Sequence, residues 1–413
     1  MKNLLVVFPH LIYPLDSGGA QAIFNGIEAV RHDYRVTIVY FEGRKDHHPK
    51  ERQELAQQLE NVDILPFYYT PNKLHKLKAL ESIVESKFLG GMQEWKDMCW
   101  ADYHLPMAGY MEFVNQVIQE KSIDLVQLEM MESLPLVLSI PDNVKKVFVH
   151  HELRFIRNEL KLKAMNTSNC FNQATVEMKR ILEIGMLNRC DGVITLSETD
   201  RLKLQEAGVR VPVYSSFAIV KQHRISGQAI ENSSHVLSFV GPEYHTPNYQ
   251  GLLWFLDYCW PVLKSKQPDY RLRIVGKWSE STRKLWQNRY DGIEFMGFVD
   301  DLAAALSGTT MIVPILEGSG IRMKIQEAAS MGVPVVTTSI GVEGLPLDNG
   351  VACMVGDNPD EFVNGIISLE KEECRQRLTA EAYKVVKEQY SMKALSQNRR
   401  DIYQQIGILD ESN

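Results

Sequence analysis

The stretch 311-MIVPILEGSGIRMKIQEAASMGVPVVTTS-339 decides the fold. It opens on an apolar run, turns through small residues, continues with helical periodicity, breaks at Gly332-Val333-Pro334 and resumes as a β-branched strand. Units of this strand–turn–helix–strand kind build parallel sheets. Ser319 and Gly320 mark the expected helix start, with Ser319 as N-cap and Gly320 allowing close backbone approach. Gly332 closes the helix and Pro334 forbids its return. Ile321, Ile325, Ala328 and Ala329 share the face expected to pack on the sheet, with Lys324 and Glu327 on the opposite side at i,i+3. The charges have two readings. A solvated ion pair would be worth about 0.2–0.5 kcal/mol. In the other reading, N–H groups at the helix start bind phosphate oxygens, Arg322 and Lys324 neutralise the remaining charge, and Glu327 accepts hydrogen bonds from a ribose diol.

Similar alternation fills the chain. Expected strands in the first half are 4–8, 35–41, 62–69, 124–129, 145–150 and 192–197, separated by helical patterns at 19–31, 50–60, 72–89, 108–121 and one long pattern across 154–189. A polar stretch, 221-KQHRISGQAIENSS-234, precedes a second series at 235–241, 271–277, 293–299, 311–316, 333–339 and 352–356. The near-continuous apolar strands fit sheets buried on both faces. These patterns predict an α/β chain of two doubly wound domains, 1–228 and 229–385, with 386–413 a helix packing back on the first. Ligands of such sheets sit beyond the carboxyl ends of the strands, here in an expected interdomain cleft.

At 413 residues the chain is long for a single core. A net charge of −7 gives no nucleic-acid footprint. Residues 1–228 hold 27 Lys+Arg and 28 Asp+Glu, and the remainder holds 18 and 24, so the second half needs local cations to bind an anion. Cys99, Cys170, Cys190, Cys259, Cys353 and Cys374 form no C-x-x-C pair, which points to a reducing cytosol. The opening MKNLLVVF reads as a first strand, and no apolar run reaches the ~18 residues of a membrane span.

Four stretches, FVGPEYHTPNYQGLLWF (239–255), RLRIVGK (271–277), GFVDDLAAAL (297–306) and 312–345, occur in the order and spacing of a known domain. In them the second half resembles the donor-binding domain of family 4 glycosyltransferases, which have the GT-B fold. The resemblance implies a nucleotide-sugar donor, a UDP- or GDP-sugar, held in this half. It also implies retaining transfer to a saccharide, lipid-linked or protein acceptor held by the first half, with no cofactor and no metal. Glu327 matches the glutamate that contacts the donor ribose, and Glu317 sits near the family's acidic position facing the donor sugar, at a longer spacing than the common pattern. Arg322 and Lys324 match the basic pair of the G-x-G-x-R-x-K-x-x-E branch. Gly241 and Asn248 lie in the loop where many members carry an Arg and a Lys. Here that loop, GPEYHTPNYQG, has neither, so Arg322 and Lys324, with Lys277, inherit the phosphate charge. Phe298 and Val299 fall in the loop whose backbone contacts the nucleobase, where Asp300-Asp301 reads as a helix cap in preference to a metal site.

In the first half, Gly18-Gly19 opens a helix after the first strand, where a phosphate or sugar can approach the backbone. His150 and His151 end another strand. The family often has a histidine there against the donor sugar, which favours His151, with His150 as the alternative, and gives His151, Glu317 and Lys324 as the catalytic set. Arg154 and Arg157 are candidates for phosphate, acceptor or water. The helical stripe of 73-KLHKLKALESIVESKFLGG-91, with Lys73, Lys76 and Lys78, fits either a core face or peripheral contact with the inner face of a membrane. Surface polysaccharide or glycoconjugate synthesis in the cytoplasm is the expected setting. Rival functions are a sugar-nucleotide epimerase of GT-B architecture and a non-catalytic sugar-nucleotide binder. A dinucleotide oxidoreductase is disfavoured, since no G-x-G-x-x-G follows either first strand.

Overall fold

The computed structural model describes residues 1–15, 17–43, 47–69, 108–164, 169–220, 235–318 and 320–407. The amphipathic stretch 73–91, the polar stretch 221–234 and Ser319 lie outside the described residues. The chain divides into two compact units, Met1–Phe217 with Leu395–Asn413, and Ala218–Ala394. These divisions fall about ten residues before and after the 228/229 and 385/386 that the sequence pattern predicts.

The first unit holds a parallel sheet in the order β3-β2-β1-β4-β5-β6-β7. Its strands are β1 (Asn3–Phe8), β2 (Arg35–Gly43), β3 (Asp63–Tyr68), β4 (Leu125–Glu129), β5 (Lys145–His150), β6 (Gly192–Thr195) and β7 (Val213–Ser215). Between them run α1 (Gly18–Glu28), α2 (Pro49–Gln58), α3 (Ala108–Glu120), a 3-10 turn (Met131–Leu138), α4 (Arg154–Ala164), α5 (Cys170–Leu187) and α6 (Glu198–Ala207). Leu4 to Phe8 are fully buried, as befits a central strand covered on both faces. The long helical pattern at 154–189 is two helices, because Asn169 caps the second: its side chain accepts the Asn172 N–H at 2.8 Å. β7 has only three residues, too few for alternation to reveal it.

The second unit repeats the order as β10-β9-β8-β11-β12-β13, again all parallel. Its strands are β8 (Val236–Val240), β9 (Arg271–Val275), β10 (Ile293–Gly297), β11 (Thr310–Val313), β12 (Val335–Thr337) and β13 (Met354–Val355). Its helices are α7 (Thr246–Trp254), α8 (Trp260–Lys266), α9 (Glu280–Arg289), α10 (Leu302–Leu306), α11 (Met323–Ser330), α12 (Ser339–Val342), α13 (Pro359–Ser368) and α14 (Glu372–Gln389). Phe239, Leu272, Ile274, Trp278 and Trp286 anchor its own core. The final helix, α15 (Met392–Gln405), returns to the first unit.

α11 starts later than the sequence suggests, with Arg322 rather than Ser319 at its N-cap. Gly318 and Gly320 adopt φ of +112° and +83°, a left-handed backbone that no α-helix can include. Ile325, Ala328 and Ala329 are buried as expected, whereas Ile321 precedes the helix. In each sheet the winding reverses once, between β1 and β4 and between β8 and β11. Ligands of doubly wound sheets bind at such switch points.

Candidate functional site

At the β8/β11 switch point the loop after β8 faces the turn before α11. Gly251 of α7 packs so tightly that an added Cβ would sit 2.1 Å from the Pro314 carbonyl oxygen, which seats α7 on the end of β11. Lys324, in the first turn of α11, reaches across the reversal. Its Nζ donates to the Val240 carbonyl at 2.6 Å and to Asn248 Oδ1 at 2.7 Å, and lies 5.1 Å from the centre of the Phe239 ring. Asn248 is 3% exposed and also donates to the Pro242 carbonyl, so its amide serves to hold Lys324 and the loop. Gly241 closes β8 against that amide, with no room for a side chain.

Burial pushes the Lys324 ammonium down to about 7; the neighbouring Arg322 adds to this and Glu327 partly opposes it. The residue as a whole is only partly covered, but two protein oxygens draw its ammonium inward. The Arg322 guanidinium curls over its own turn, donating to the Gly318 and Gly320 carbonyls. Glu327 is partly exposed one turn beyond Lys324. Glu317 is partly buried, which raises its carboxyl above the usual range.

One strand further out, Lys277 and Phe298 come together: the ammonium lies 5.8 Å from the ring centre, and Phe298 is 63% exposed. Val299 beside it is partly buried. Asp301 caps α10 by accepting the Ala304 N–H at 2.9 Å. Among the described residues no group of three His, Cys, Asp or Glu could hold a metal ion. Sequence reasoning missed Glu243. Its carboxylate accepts from the Ser279 N–H, the Ser279 hydroxyl and the Thr282 hydroxyl, tying the loop after β8 to the start of α9. Burial alone would raise this carboxyl, but those three bonds prevail and lower it.

In the first unit, Gly18 and Gly19 begin α1, capped by Ser17, whose hydroxyl accepts the Ala20 N–H at 3.2 Å. A Cβ on Gly19 would meet Met130 Cε at 2.8 Å, so the start of α1 and the end of β4 touch at the β1/β4 switch point. A cavity of about 140 Å³ lies there, lined by His10, Tyr13, Ser17 and Met130 among others. A larger one, about 710 Å³, is lined by Lys2, Asp124 and Lys145 at the amino ends of β1, β4 and β5, the wrong end of a parallel sheet for a ligand site.

The two histidines diverge. His150 is buried and its Nε2 lies 2.9 Å from Glu183 Oε1 on α5, while Glu183 Oε2 accepts the Phe155 N–H. His151 Nε2 lies 2.6 Å from Glu129 Oε2 at the end of β4. Arg154 and Arg157 pair with Glu132 and Glu152. The sequence offered one signal for Glu129: Gln127 and Glu129 are polar at alternate positions of LVQLE, in a strand otherwise apolar on both faces.

Solved structures share this architecture. A variant of S. aureus TarM, in complex with Fondaparinux, alpha-GlcNAc-glycerol and UDP, aligns with TM-score 0.69 at 12% identity, covering 98% of this chain and 100% of that one. Anabaena HepE in complex with UDP-glucose aligns with TM-score 0.67 at 15% identity, over 98% and 100%. At these identities the likeness is one of fold, and the fold is GT-B. Residues 234–372 match the family model of group 1 glycosyl transferases. An uncharacterized 44.6 kDa protein in the cps region of Klebsiella pneumoniae is 30% identical over 165 residues, 38% of this chain and 42% of that protein. An uncharacterized glycosyltransferase of Haemophilus influenzae is 26% identical over 188 residues, 43% of this chain and 51% of that protein. The chain thus spans about half or less of the length of these curated relatives. The segment 234–372 is thus similar to group 1 glycosyl transferases, and the chain shares the GT-B fold of its solved neighbours.

Proposed function

We propose that the protein is a retaining glycosyltransferase that moves a sugar from a nucleoside-diphosphate sugar to a hydroxyl acceptor. The observation that carries this reading is the Lys324 ammonium at the β8/β11 reversal, inside the segment that matches the group 1 family. The leaving diphosphate develops charge as the anomeric C–O bond breaks. Arg322, Lys324 and the first N–H groups of α11 supply the compensating positive field in the manner of an oxyanion hole, without calling on a metal. Glu327 takes the ribose hydroxyls, Lys277 shares the phosphate charge, and the loop of Phe298 and Val299 takes the base. Glu317 is the second unit's candidate for the transferred sugar, and His151 is the first unit's. The acceptor oxygen attacks the anomeric carbon from the face the diphosphate leaves, and its proton passes to the departing phosphate oxygen.

A UDP-sugar is the favoured donor, because TarM and HepE were solved with UDP and UDP-glucose and share the fold. Glycan assembly, with a saccharide or lipid-linked acceptor, is the favoured setting, on the match to a protein of a cps region. Among the described residues no helix is long and apolar enough to cross a membrane. The test is a thermal-shift screen of UDP-, GDP-, ADP- and dTDP-sugars, followed by nucleotide release with and without acceptor sugars. One donor class should stabilise the protein and release its nucleotide. Stabilisation with an epimerised donor and no transfer would mark an epimerase, and stabilisation without any turnover a binding protein.

A further inference from the structure

Gln127 and Glu129 point to the same face of β4, the face covered by α15. There they join a continuous chain of side chains. The Tyr403 hydroxyl on α15 donates to Gln127 Oε1, Gln127 Nε2 donates to Glu129 Oε1 at 2.6 Å, and Glu129 Oε2 lies 2.6 Å from His151 Nε2. Tyr403 is fully buried, and Gln127 and Glu129 are each 1% exposed. β4 and β5 pair with Glu129 opposite Val149, so His151, two residues further on, stays on that face just past the strand end. His150 turns to the other face and to Glu183.

The direction of every bond follows from chemistry. Burial raises the Tyr403 phenol above its usual value, so it carries its proton and donates. An ionised carboxylate only accepts, so it takes the Gln127 N–H on one oxygen and the His151 N–H on the other. In its neutral form His151 then carries its proton on Nε2 and presents Nδ1 as an acceptor. Met130, directly after Glu129, adopts φ +66° and ψ 148°, a conformation that is strained for a side-chain-bearing residue. Strain of that kind is kept where the surroundings over-determine the backbone, and here it directs β4 away at the switch point.

We infer that Glu129 is a positioning residue that fixes the His151 tautomer, and that Tyr403 of the last helix sets Glu129 through Gln127. The group so oriented is an acceptor, and its partner is a hydroxyl of the transferred sugar. This last step rests on the glycosyltransferase reading; the tautomer itself does not.

The decisive variant is Glu129→Gln. Gln127 still donates to the new amide oxygen, so the new NH2 meets His151 Nε2 and drives the proton to Nδ1. With 15N-labelled histidine, imidazole shifts should report Nε2–H in the wild type and Nδ1–H in E129Q. UDP release from UDP-glucose should fall at least tenfold in kcat with KM within twofold. In a His151→Ala background, E129Q should change turnover by less than twofold. Tyr403→Phe removes one oxygen without changing packing. It should give a tautomer mixture and an intermediate loss, which keeps the test open if E129Q folds poorly. An unchanged tautomer in both variants overturns the proposal, as does an equal E129Q loss with and without His151. If H151A alone retains wild-type release, the sugar-facing role of His151 fails, and the NMR arm still decides whether Glu129 sets the ring.

Discussion

Lys324 gains its chemistry from being drawn inward. Val240 O and Asn248 Oδ1 hold its ammonium among protein atoms, burial and Arg322 weaken its hold on the proton, and it titrates at about 7. Near neutral pH it is then about half charged, a state that an arriving diphosphate would correct by raising the pKa. Binding therefore takes up a proton. The sign is fixed by linkage: the ligand prefers the protonated lysine, so the lysine's contribution is complete well below pH 7. It falls by up to about tenfold per pH unit above it. Calorimetry of UDP-glucose, whose diphosphate lacks the terminal group that titrates at about 6 in free UDP, in two buffers of unlike ionisation heat should show uptake of about half a proton at pH 7. Lys324→Met should abolish that uptake and flatten the pH profile. It should also slow UDP release from UDP-glucose by about 10²-fold or more, as loss of one charge-stabilising donor does. Proton release on binding, or an affinity level from pH 6 to 9, would rule out this role. The sequence singled out Lys324 as a candidate, but not its titration. That comes first from burial, in a place shared with Val240 and Asn248, remote in sequence, and then from Arg322.

α7 shows how an element places that residue. It carries Asn248, and it can do so only because Gly251 lets it lie against the Pro314 carbonyl. The Gly251→Ala change puts a methyl where backbone stands, so the helix must lift from β11. We expect a loss of about 1–3 kcal/mol in urea unfolding, the range for overpacking. Weaker UDP binding should accompany it, because Asn248 moves with the helix. A variant with wild-type midpoint and affinity would show that the seat is not needed. The strands that frame α7 were readable because each is a short apolar run bounded by turn residues. β7 was not, and neither was the split of 154–189, which hangs on a single cap at Asn169. The start of α11 was misread for a related reason. Ser319-Gly320 has the composition of a cap, yet the left-handed turns at Gly318 and Gly320 delay the helix to Met323, and Arg322 braces that turn. Local composition indicates that a turn exists, while its φ angles decide where the helix can begin.

At the scale of the molecule, the chain finishes the first unit with its last helix. α15 buries Leu395, Ile402 and Tyr403, and Ile406 follows just beyond it. Arg400 pairs with Asp33, and the Asn398 amide bonds the backbone and side chain of 215–216. Each buried apolar side chain is worth about 1.5–3 kcal/mol, and the Gln127–Glu129 pair loses its outermost partner without Tyr403. The second unit has a core of its own. A chain ending at Ser391 should therefore fail in one half only. The first unit's thermal transition should drop by more than about 10 °C, since 1 kcal/mol corresponds to about 2–4 °C in a domain of this size. UDP should still stabilise a separate transition of the second unit, because Lys324, Arg322 and Glu327 lie within it. Calorimetry with and without UDP reads both. Loss of the UDP-sensitive transition would mean that the second unit does not hold the nucleotide by itself. An undiminished first transition would mean that α15 is not part of the first unit's core, and the Tyr403 contact to Gln127 would then lose its support as well.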